Sequence, residues 1–430
     1  MVEIIPLRRQ RDFRLLWSAR AVSETGSEIS RLAVPLTAAT LLNVTPIQMG
    51  LLTAATTLPY LLIGLPAGAY ADRIARRRPI LIGCEIVSAV AVFTVPLAWL
   101  AGLLTISWLI AVALTVGTCA VFYRAVWFPH LPSVVPDHQR TAAIAGFQMV
   151  YSTASVCGPG LAGLLVQILT APLALVADAT SFLVSAVCLR SIRSPEKAER
   201  PDPAVVRPNL LRDIREGMRT VMTHRTLRAL IGAGVLINFA SAAQMALYVL
   251  FAVQTLGLPT GVLGLLIASA GIGGLLGAAV APRLTRRFTE DRVILGAAAV
   301  LPLEFIAVAS AHGPFTVLIP LLTGAFAISG AATVMFSVCY GTLQLRESPP
   351  DMLGRVNAIM TVSTMGVMTL GGVVGGVLGE LIGLRPALWA CAALAGSGIF
   401  LVWFSPLRRS AFAARLHHPA SDPSDRVPVQ

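Results

Sequence analysis

Residues 47–100 read IQMGLLTAATTLPYLLIGLPAGAYADRIARRRPILIGCEIVSAVAVFTVPLAWL. Two apolar runs flank a short segment that holds Asp72, Arg73, Arg76, Arg77 and Arg78. Each run is long enough to cross a bilayer as a helix, which takes about 20 mostly apolar residues. Charges packed this densely do not sit in hydrocarbon, so the segment marks a loop at one membrane face. The same alternation recurs along the chain. It predicts spans near 15–42, 47–71, 79–101, 104–128, 141–169 and 172–191, then 229–255, 260–282, 292–312, 315–343, 356–383 and 386–406. Composition agrees: of 430 residues, 56% are hydrophobic and 13% charged. A soluble domain carries about 25% charged residues. Half that share cannot cover a water-facing surface, which excludes a soluble enzyme. The apolar excess also excludes a disordered chain.

The cations are unevenly placed. Of 33 Lys and Arg residues, 29 fall in the N-terminus, the tail and alternate loops; one, Arg385, falls in the other loops, and Arg20, Arg31 and Arg124 fall within spans. Basic residues accumulate on the cytoplasmic side, so both termini are expected there, in a bacterial cytoplasmic membrane. The net charge of +12 is then a charge on one face. Anionic lipid accounts for it without a nucleic-acid partner. Lys197 is the only lysine and lacks the Gly-Lys-Ser/Thr context of a phosphate-binding loop, so the chain is not expected to use ATP. The six cysteines lie in apolar runs without metal-site or disulfide spacing, and read as small buried hydrophobes.

The two halves echo each other. Arg11-Asp12-Phe13-Arg14 is answered by Arg225-Thr226-Leu227-Arg228, Met49-Gly50-Leu51-Leu52 by Leu263-Gly264-Leu265-Leu266, and Arg73-Ile74-Ala75-Arg76-Arg77 by Arg283-Leu284-Thr285-Arg286-Arg287. The order is kept at an offset of about 210–215 residues, which argues for an internal six-helix repeat, a transporter design. The expected architecture is an all-α membrane protein of twelve transmembrane helices in two pseudo-symmetric bundles, 1–191 and 229–407. Residues 192–228 join them as a cytoplasmic linker. It opens with a mobile stretch at 194–201 and continues as an amphipathic helix lying on the inner membrane surface. Residues 408–430 form a disordered tail.

Gly68-Ala69-Tyr70-Ala71-Asp72-Arg73-Ile74-Ala75-Arg76-Arg77 resembles the G-x-x-x-D-R-x-x-R-R loop signature of the major facilitator superfamily, with Gly68, Asp72, Arg73, Arg76 and Arg77 matching. The resemblance covers residues 7–407. It implies that this loop gates the inner face, while the physical alternative is that its arginines only orient the protein. In the second copy Pro282 stands opposite Asp72, so the second half does not duplicate that carboxylate. Arg11 to Trp17, Asp178 to Phe182 and Arg215 to Arg219 resemble a bacterial branch that includes macrolide-efflux and enterobactin-exporter-like proteins. Gly158-Pro159-Gly160-Leu161-Ala162-Gly163 is similar to the Gly-Pro element in helix five of drug/proton antiporters. There Gly158 and Gly163 allow close helix contact and Pro159 bends the helix. The match is partial, since Ala145, Ala154 and Ala162 replace glycines of that pattern.

Span one holds Arg20, Glu24, Glu28 and Arg31, whose spacing puts all four on one helix face. Charges at this depth avoid lipid, so they either zip into ion pairs or line the cavity between the halves. On the second reading Glu28, or else Glu24, carries the coupled proton. The resemblance implies that spans one, four, seven and ten line the cavity. Arg124 in span four is expected to pair with Asp72 or Glu85, or to contact substrate. Glu85, Asp178 and Glu304 fall in spans that the resemblance places at the periphery, where structural pairing is expected, with a proton relay as the alternative for any of them. Asn238, Gln244 and Tyr248 form a polar face on span seven, and Tyr340 joins them from span ten as candidate cavity lining. No metal site and no hydrolase motif occurs at membrane depth. The function read from these features is secondary transport: proton-coupled efflux of a drug-like or natural-product small molecule, with no cofactor beyond the proton gradient. Its partners are a small amphipathic substrate, protons and membrane lipid. The alternatives are a lipid or lysophospholipid transporter, a uniporter, or a non-transporting membrane scaffold.

Overall fold

The computed structural model describes residues 6–71, 74, 76–195, 210–348 and 353–404. Its helices are α1 (Arg11–Leu41), α2 (Pro46–Ala71), α3 (Arg78–Leu100), α4 (Ile106–His130), α5 (Arg140–Leu169), α6 (Ala171–Arg190) and α7 (Leu210–Thr223). They continue as α8 (Arg225–Leu250), α9 (Thr260–Phe288), α10 (Glu290–Val300), α11 (Pro302–Ala309), α12 (Phe315–Glu347), α13 (Leu353–Ile382) and α14 (Leu384–Trp403). No strand occurs among the described residues. Eleven helical stretches are long and apolar enough to cross a membrane. The first predicted span, α1, falls outside that set; it has 31 residues and carries Arg20, Glu24, Glu28 and Arg31. Its length suffices, and its charges are what lower its hydropathy.

Local chemistry sets the element ends. At the start of α2, Thr45 and Gln48 cap each other: the Thr45 N–H donates to Gln48 Oε1 at 3.1 Å and the Gln48 N–H to Thr45 Oγ1 at 3.4 Å. This is a reciprocal capping box, with Pro46 at the first helical position, where its missing N–H costs nothing. The ninth span is broken where a continuous helix was expected. Pro302 has no N–H for the carbonyl four residues back, so α10 ends and α11 begins around Leu301.

The repeat is visible in the turns. Six turns join helices at the arginine-poor end, and each contains a residue with positive φ: Asn43, Gly102, Thr170, Gly257, Gly313 and Gly383. They form three pairs separated by 214, 211 and 213 residues. Such left-handed residues close a helix and reverse the chain.

Each half packs within itself, α1 on α5 and α6, α3 on α4 and α6, α8 on α13 and α14, and α9 on α12. Two main seams join the halves, α2 against α13 and α5 against α9, with a smaller contact of α2 on α8. Both seams lie toward the arginine-poor end. Gly50 meets Gly372 and Gly376, Gly163 meets Gly264, and Gly271 meets Ser155 and Val156. Thr57 and Thr369 hydroxyls bond across the first seam at 2.9 Å. The apolar cores follow the same division. One core draws Leu36, Met49, Leu109 and Leu175 from the first half and Leu247, Phe251, Leu263 and Leu322 from the second. Toward the arginine-rich end the cores are separate, one around Phe13, Leu16, Tyr123 and Trp127, the other around Leu227, Ile294, Phe336 and Val356. The bundle is therefore sealed at one end and divided at the other.

Ser194, the first residue of the stretch expected to be mobile, is held in place. Ile192 is buried in the first-half core, Arg78 donates to its carbonyl at 2.7 Å, and Asp12 accepts from the Ser194 N–H at 2.7 Å. These contacts tie the exit of α6 to the starts of α1 and α3. The remainder of that stretch, 196–201, lies outside the described residues, as does the tail 408–430. The amphipathic helix forms as α7, packs on α8 and α13, and buries Val221 in the second-half core. Met218 and Met222 stay exposed. Among the cysteines, Cys157 is exposed, Cys339 and Cys391 are buried, and all six are free thiols.

Candidate functional site

The four charges of α1 at membrane depth form two ion pairs. Arg20 pairs with Glu24, and Arg31 Nη1 lies 3.0 Å from Glu28 Oε1. Glu28 is buried at 4% exposure, whereas the Arg31 side chain is 60% exposed. Arg20 also stacks over Tyr123 and Trp127 of α4, at 5.6 and 5.4 Å from the ring centroids. Such stacking steadies a guanidinium away from water. Tyr60 of α2 lies within electrostatic reach of Arg20, Glu24, Arg31 and Arg124. One charged surface thus runs from α1 across α2 to α4.

Glu28 bears directly on the Gly-Pro element of α5. A side chain at Gly158 would collide with the Glu28 Cβ and Cγ. On the other side of α5, a Cβ at Gly264 would lie 2.6 Å from the Pro159 carbonyl oxygen and 2.7 Å from Gly163 Cα. Gly158, Pro159 and Gly163 therefore form a thin strip between the buried carboxylate and the second half. The resemblance pointed to this strip, but its contact with Glu28 depends on how two helices are rotated, which spacing does not give.

The remaining predicted residues are placed as follows. Gly68 has open space around its Cα, and Arg76 is exposed. Arg77 Nη1 donates to the Pro129 carbonyl at 2.6 Å, a contact within the first half. Asp72 and Arg73 lie outside the described residues. Arg124 is exposed and makes no ion pair among the described residues, so the expected Arg124–Glu85 pair does not form. Glu85 instead accepts from Ser185 at 2.9 Å and Ser23 at 3.3 Å. Asp178 accepts from Ser30 and, at 3.2 Å, from Ser181. Both carboxyls were expected to pair structurally; their partners are hydroxyls, not cations. The hydroxyls of Ser23 and Ser30 gave no sequence signal, because serine is common in packed transmembrane helices.

The polar face of span seven is largely enclosed. Gln244 is buried and donates to Glu304 of α11 at 3.1 Å, and Tyr248 is buried in the shared core with its ring 5.3 Å from Phe326. Neither lines an open cavity in this conformation. Gln244 meets Glu304 and Tyr248 meets Phe326, neighbours that helical spacing does not give. Asn238 donates to the Gly234 carbonyl of its own helix at 2.8 Å. Tyr340 is half-buried, and its hydroxyl contacts Met360 Sδ at 3.4 Å. No group of three His, Cys, Asp or Glu residues suited to a metal occurs among the described residues.

A twelve-span bundle with two similar halves, sealed at one end and lined by paired charges, is the architecture of a major facilitator transporter. The family profile described as transmembrane secretion effector, within that superfamily, matches residues 2–426, and the chain belongs to it. It is similar to the MFS-type transporter YfiS of Bacillus subtilis, with 26% identity over 90% of this chain and 91% of that one. It is also similar to the multidrug efflux pump Tap of Mycolicibacterium fortuitum, 26% identical over 87% of this chain and 91% of that one. Macrolide efflux protein A of Streptococcus pyogenes is 24% identical over 56% of this chain and 59% of that one. Among solved structures, a bacterial homologue of the iron transporter ferroportin in its inward-facing state superposes with a TM-score of 0.72 at 16% identity, covering 93% of this chain and 98% of that one. The outward-facing state of a ferroportin homologue gives 0.60 at 17% identity, over 90% and 98%. The chain is a multi-pass membrane transporter of this superfamily.

Proposed function

We propose that this transporter exports a small amphipathic molecule, drug-like or a natural product, from the bacterial cytoplasm in exchange for protons. The observation that carries the reading is the division of the apolar cores, joined at the arginine-poor end and separate at the arginine-rich end. With the basic end cytoplasmic, as the distribution of arginine argues, this conformation faces inward. The efflux activity named for Tap and for macrolide efflux protein A supports export.

Coupling runs through α1. Glu28 is buried, is paired with an exposed arginine and rests on Gly158. Protonation of Glu28 removes the charge that holds Arg31, and a buried carboxyl whose pairing changes must reposition. In that direction it rests on the thin strip of α5, whose far side forms the seam with α9. Proton binding at Glu28, with Glu24 as the second candidate, then alternates with substrate binding as the halves rock. Asp72, Arg73, Arg76 and Arg77 act as the inner gate, and the proton gradient supplies the energy.

The test uses proteoliposomes with an imposed pH gradient and a panel of macrolides and other amphipathic antibiotics. Substrate-triggered proton movement in the wild type, abolished in Glu28→Gln with the protein still folded, is the expected result. Transport that persists without a gradient and is unchanged in Glu28→Gln overturns the proton role of Glu28.

A further inference from the structure

The face of α1 that carries Arg20, Glu24, Glu28 and Arg31 is one of two polar faces. About a third of a turn away, Ser23, Gly26 and Ser30 form the second, which packs on α3 and α6. Two carboxyls end there. Glu85 is 3% exposed and receives one hydroxyl on each oxygen, Ser185 on Oε1 and Ser23 on Oε2. Asp178 is 1% exposed and likewise receives Ser181 on Oδ1 and Ser30 on Oδ2. Gly26 closes the contact: a Cβ there would meet the Ser181 hydroxyl and lie 2.6 Å from Asp178 Oδ1.

Neither carboxyl belongs to an ion pair among the described residues, in contrast to Glu24 and Glu28. The charged groups on the elements packed around them do not compensate. On α1 the four charges at membrane depth, Arg20, Glu24, Glu28 and Arg31, are paired with each other; Arg20 reaches Glu85 only at longer range. From α6, Glu85 feels Asp178, a like charge. From α4, Glu85 faces the neutral Tyr123. The membrane part of α5 offers only Tyr151 and Cys157, both exposed. An ionised carboxylate buried without a cation is so costly that the group takes a proton instead. Two such groups close to each other add mutual repulsion to that cost.

We infer that Asp178 and Glu85 form a proton-binding site, separate from Glu28, that is loaded in this conformation and clasps α1 to α6 and α3. In the acid form one oxygen carries the proton and donates it to its hydroxyl, which then accepts, while the other oxygen still accepts from the second hydroxyl. Discharge requires water, and the Gly26 contact leaves no room for it. Asp178 therefore releases its proton only when α1 draws away from α6. The same α1 presses Glu28 on Gly158, so movement of α1 joins the proton load at Asp178 to the seam between the halves. The transport role rests on the proton-coupled reading given above; the proton occupancy does not.

The test is infrared spectroscopy of the purified full-length protein at neutral pH in hydrogen and deuterium buffer. A carboxylic-acid C=O band is expected, reduced in Asp178→Asn, reduced separately in Glu85→Gln and retained in Glu28→Gln. Ser30→Ala and Ser23→Ala keep the acids and should shift the band, which decides the matter if a carboxyl variant does not fold. A wild-type spectrum without the band, or a band insensitive to all four substitutions, overturns the site. Discharge is read in Gly264→Ala, which favours opening of the sealed end; there the Asp178 part of the band should fall. An unchanged band in a demonstrably opened protein overturns the clasp. A band that behaves as expected in a protein with no substrate-driven proton movement leaves the site standing and sinks the antiport reading alone.

Discussion

Placing a methyl group on Gly264 tests the inward-facing assignment at one atom. In this conformation its Cβ would lie 2.6 Å from the Pro159 carbonyl oxygen and 2.7 Å from Gly163 Cα, both backbone atoms that no rotamer change can move. Ordinary contact begins near 3.4 Å, so α5 and α9 must part by roughly 0.8 Å. Overpacking of this kind costs about 1–3 kcal/mol. The cost falls on the state in which the seam is closed, since an open seam holds no atom against the new methyl group. A ligand or substitution moves an equilibrium only by its differential energy between the states. Here that difference shifts the open-to-closed ratio by roughly five-fold to one hundred-fold, at about 1.4 kcal/mol per factor of ten. Spin labels on Leu103→Cys and Phe315→Cys, both exposed at the sealed end, report the separation of the halves in a background with Cys157→Ser. We expect a longer-distance population in Gly264→Ala. Gly376→Ala on the other seam, 2.6 Å from the Pro46 carbonyl oxygen, should act in the same direction. Gly296→Ala has no atom within 4 Å and should change nothing. A folded Gly264→Ala protein with the wild-type distance distribution refutes the idea that this seam closes the sealed end.

Two further outcomes concern the arginine-rich end. Desolvation raises the Asp12 carboxyl, but the Ser194 hydroxyl, the N–H groups of Arg193 and Ser194 and the nearby Arg11 outweigh it and hold the group below its ordinary 3.8. A depressed carboxyl contributes stability above its unfolded value, and that contribution is lost as pH falls through the lower folded value. Protection of the Ser194 amide, its exchange relative to an unstructured amide at the same pH, should therefore be high at neutral pH and fall in acid, and in Asp12→Asn the protection should be low at both. In the second half, Arg346 gathers Glu347 at 3.0 Å, Asp291 at 3.2 Å and Glu290 at 3.7 Å, joining the end of α12 to the start of α10. Its side chain is 46% exposed, so solvent screens these pairs. Arg346→Ala should cost about 1 kcal/mol in thermal unfolding at low salt and less at high salt.

The spans were legible because each residue votes independently for or against lipid. Eleven helices emerge from hydropathy, and the twelfth, α1, from its length and place in the alternation. The pairing of Arg20 with Glu24 and of Glu28 with Arg31 was also legible, since both pairs lie within one helix and spacing alone brings them together. Contacts between helices were not. Ser23 meets Glu85 across 62 residues and Ser30 meets Asp178 across 148, and nothing in the hydropathy pattern sets how α1, α3 and α6 are rotated. Arg124 and Tyr248 show the same limit: a helix face can be read from sequence, but not the neighbour it meets. The break at Pro302 was an available signal, a proline in the middle of an apolar run, which length alone overrode.

The two seams are not equivalent, and the difference bears on how chemistry becomes motion. The seam of α2 and α13 is built from Gly50, Gly372 and Gly376 with a threonine pair, and its charged neighbour is Glu380, exposed, near the Ile47 N–H at 3.4 Å. The seam of α5 and α9 has a buried carboxylate directly behind it, with only Gly158 between Glu28 and the seam. Proline adds to this. Pro159 cannot donate to the Ser155 carbonyl, so that oxygen is left to face Gly271, where a Cβ would stand 2.9 Å away. With glycine at 158 against Glu28 and at 163 against Gly264, the helix is thin at this level, so a small displacement of Glu28 is passed to α9 through backbone contacts. On this argument α2 and α13 supply the hinge and α5 and α9 the sensed contact. Bulk at Gly158 should then change proton coupling, whereas bulk at Gly50 should change only the balance between the two states.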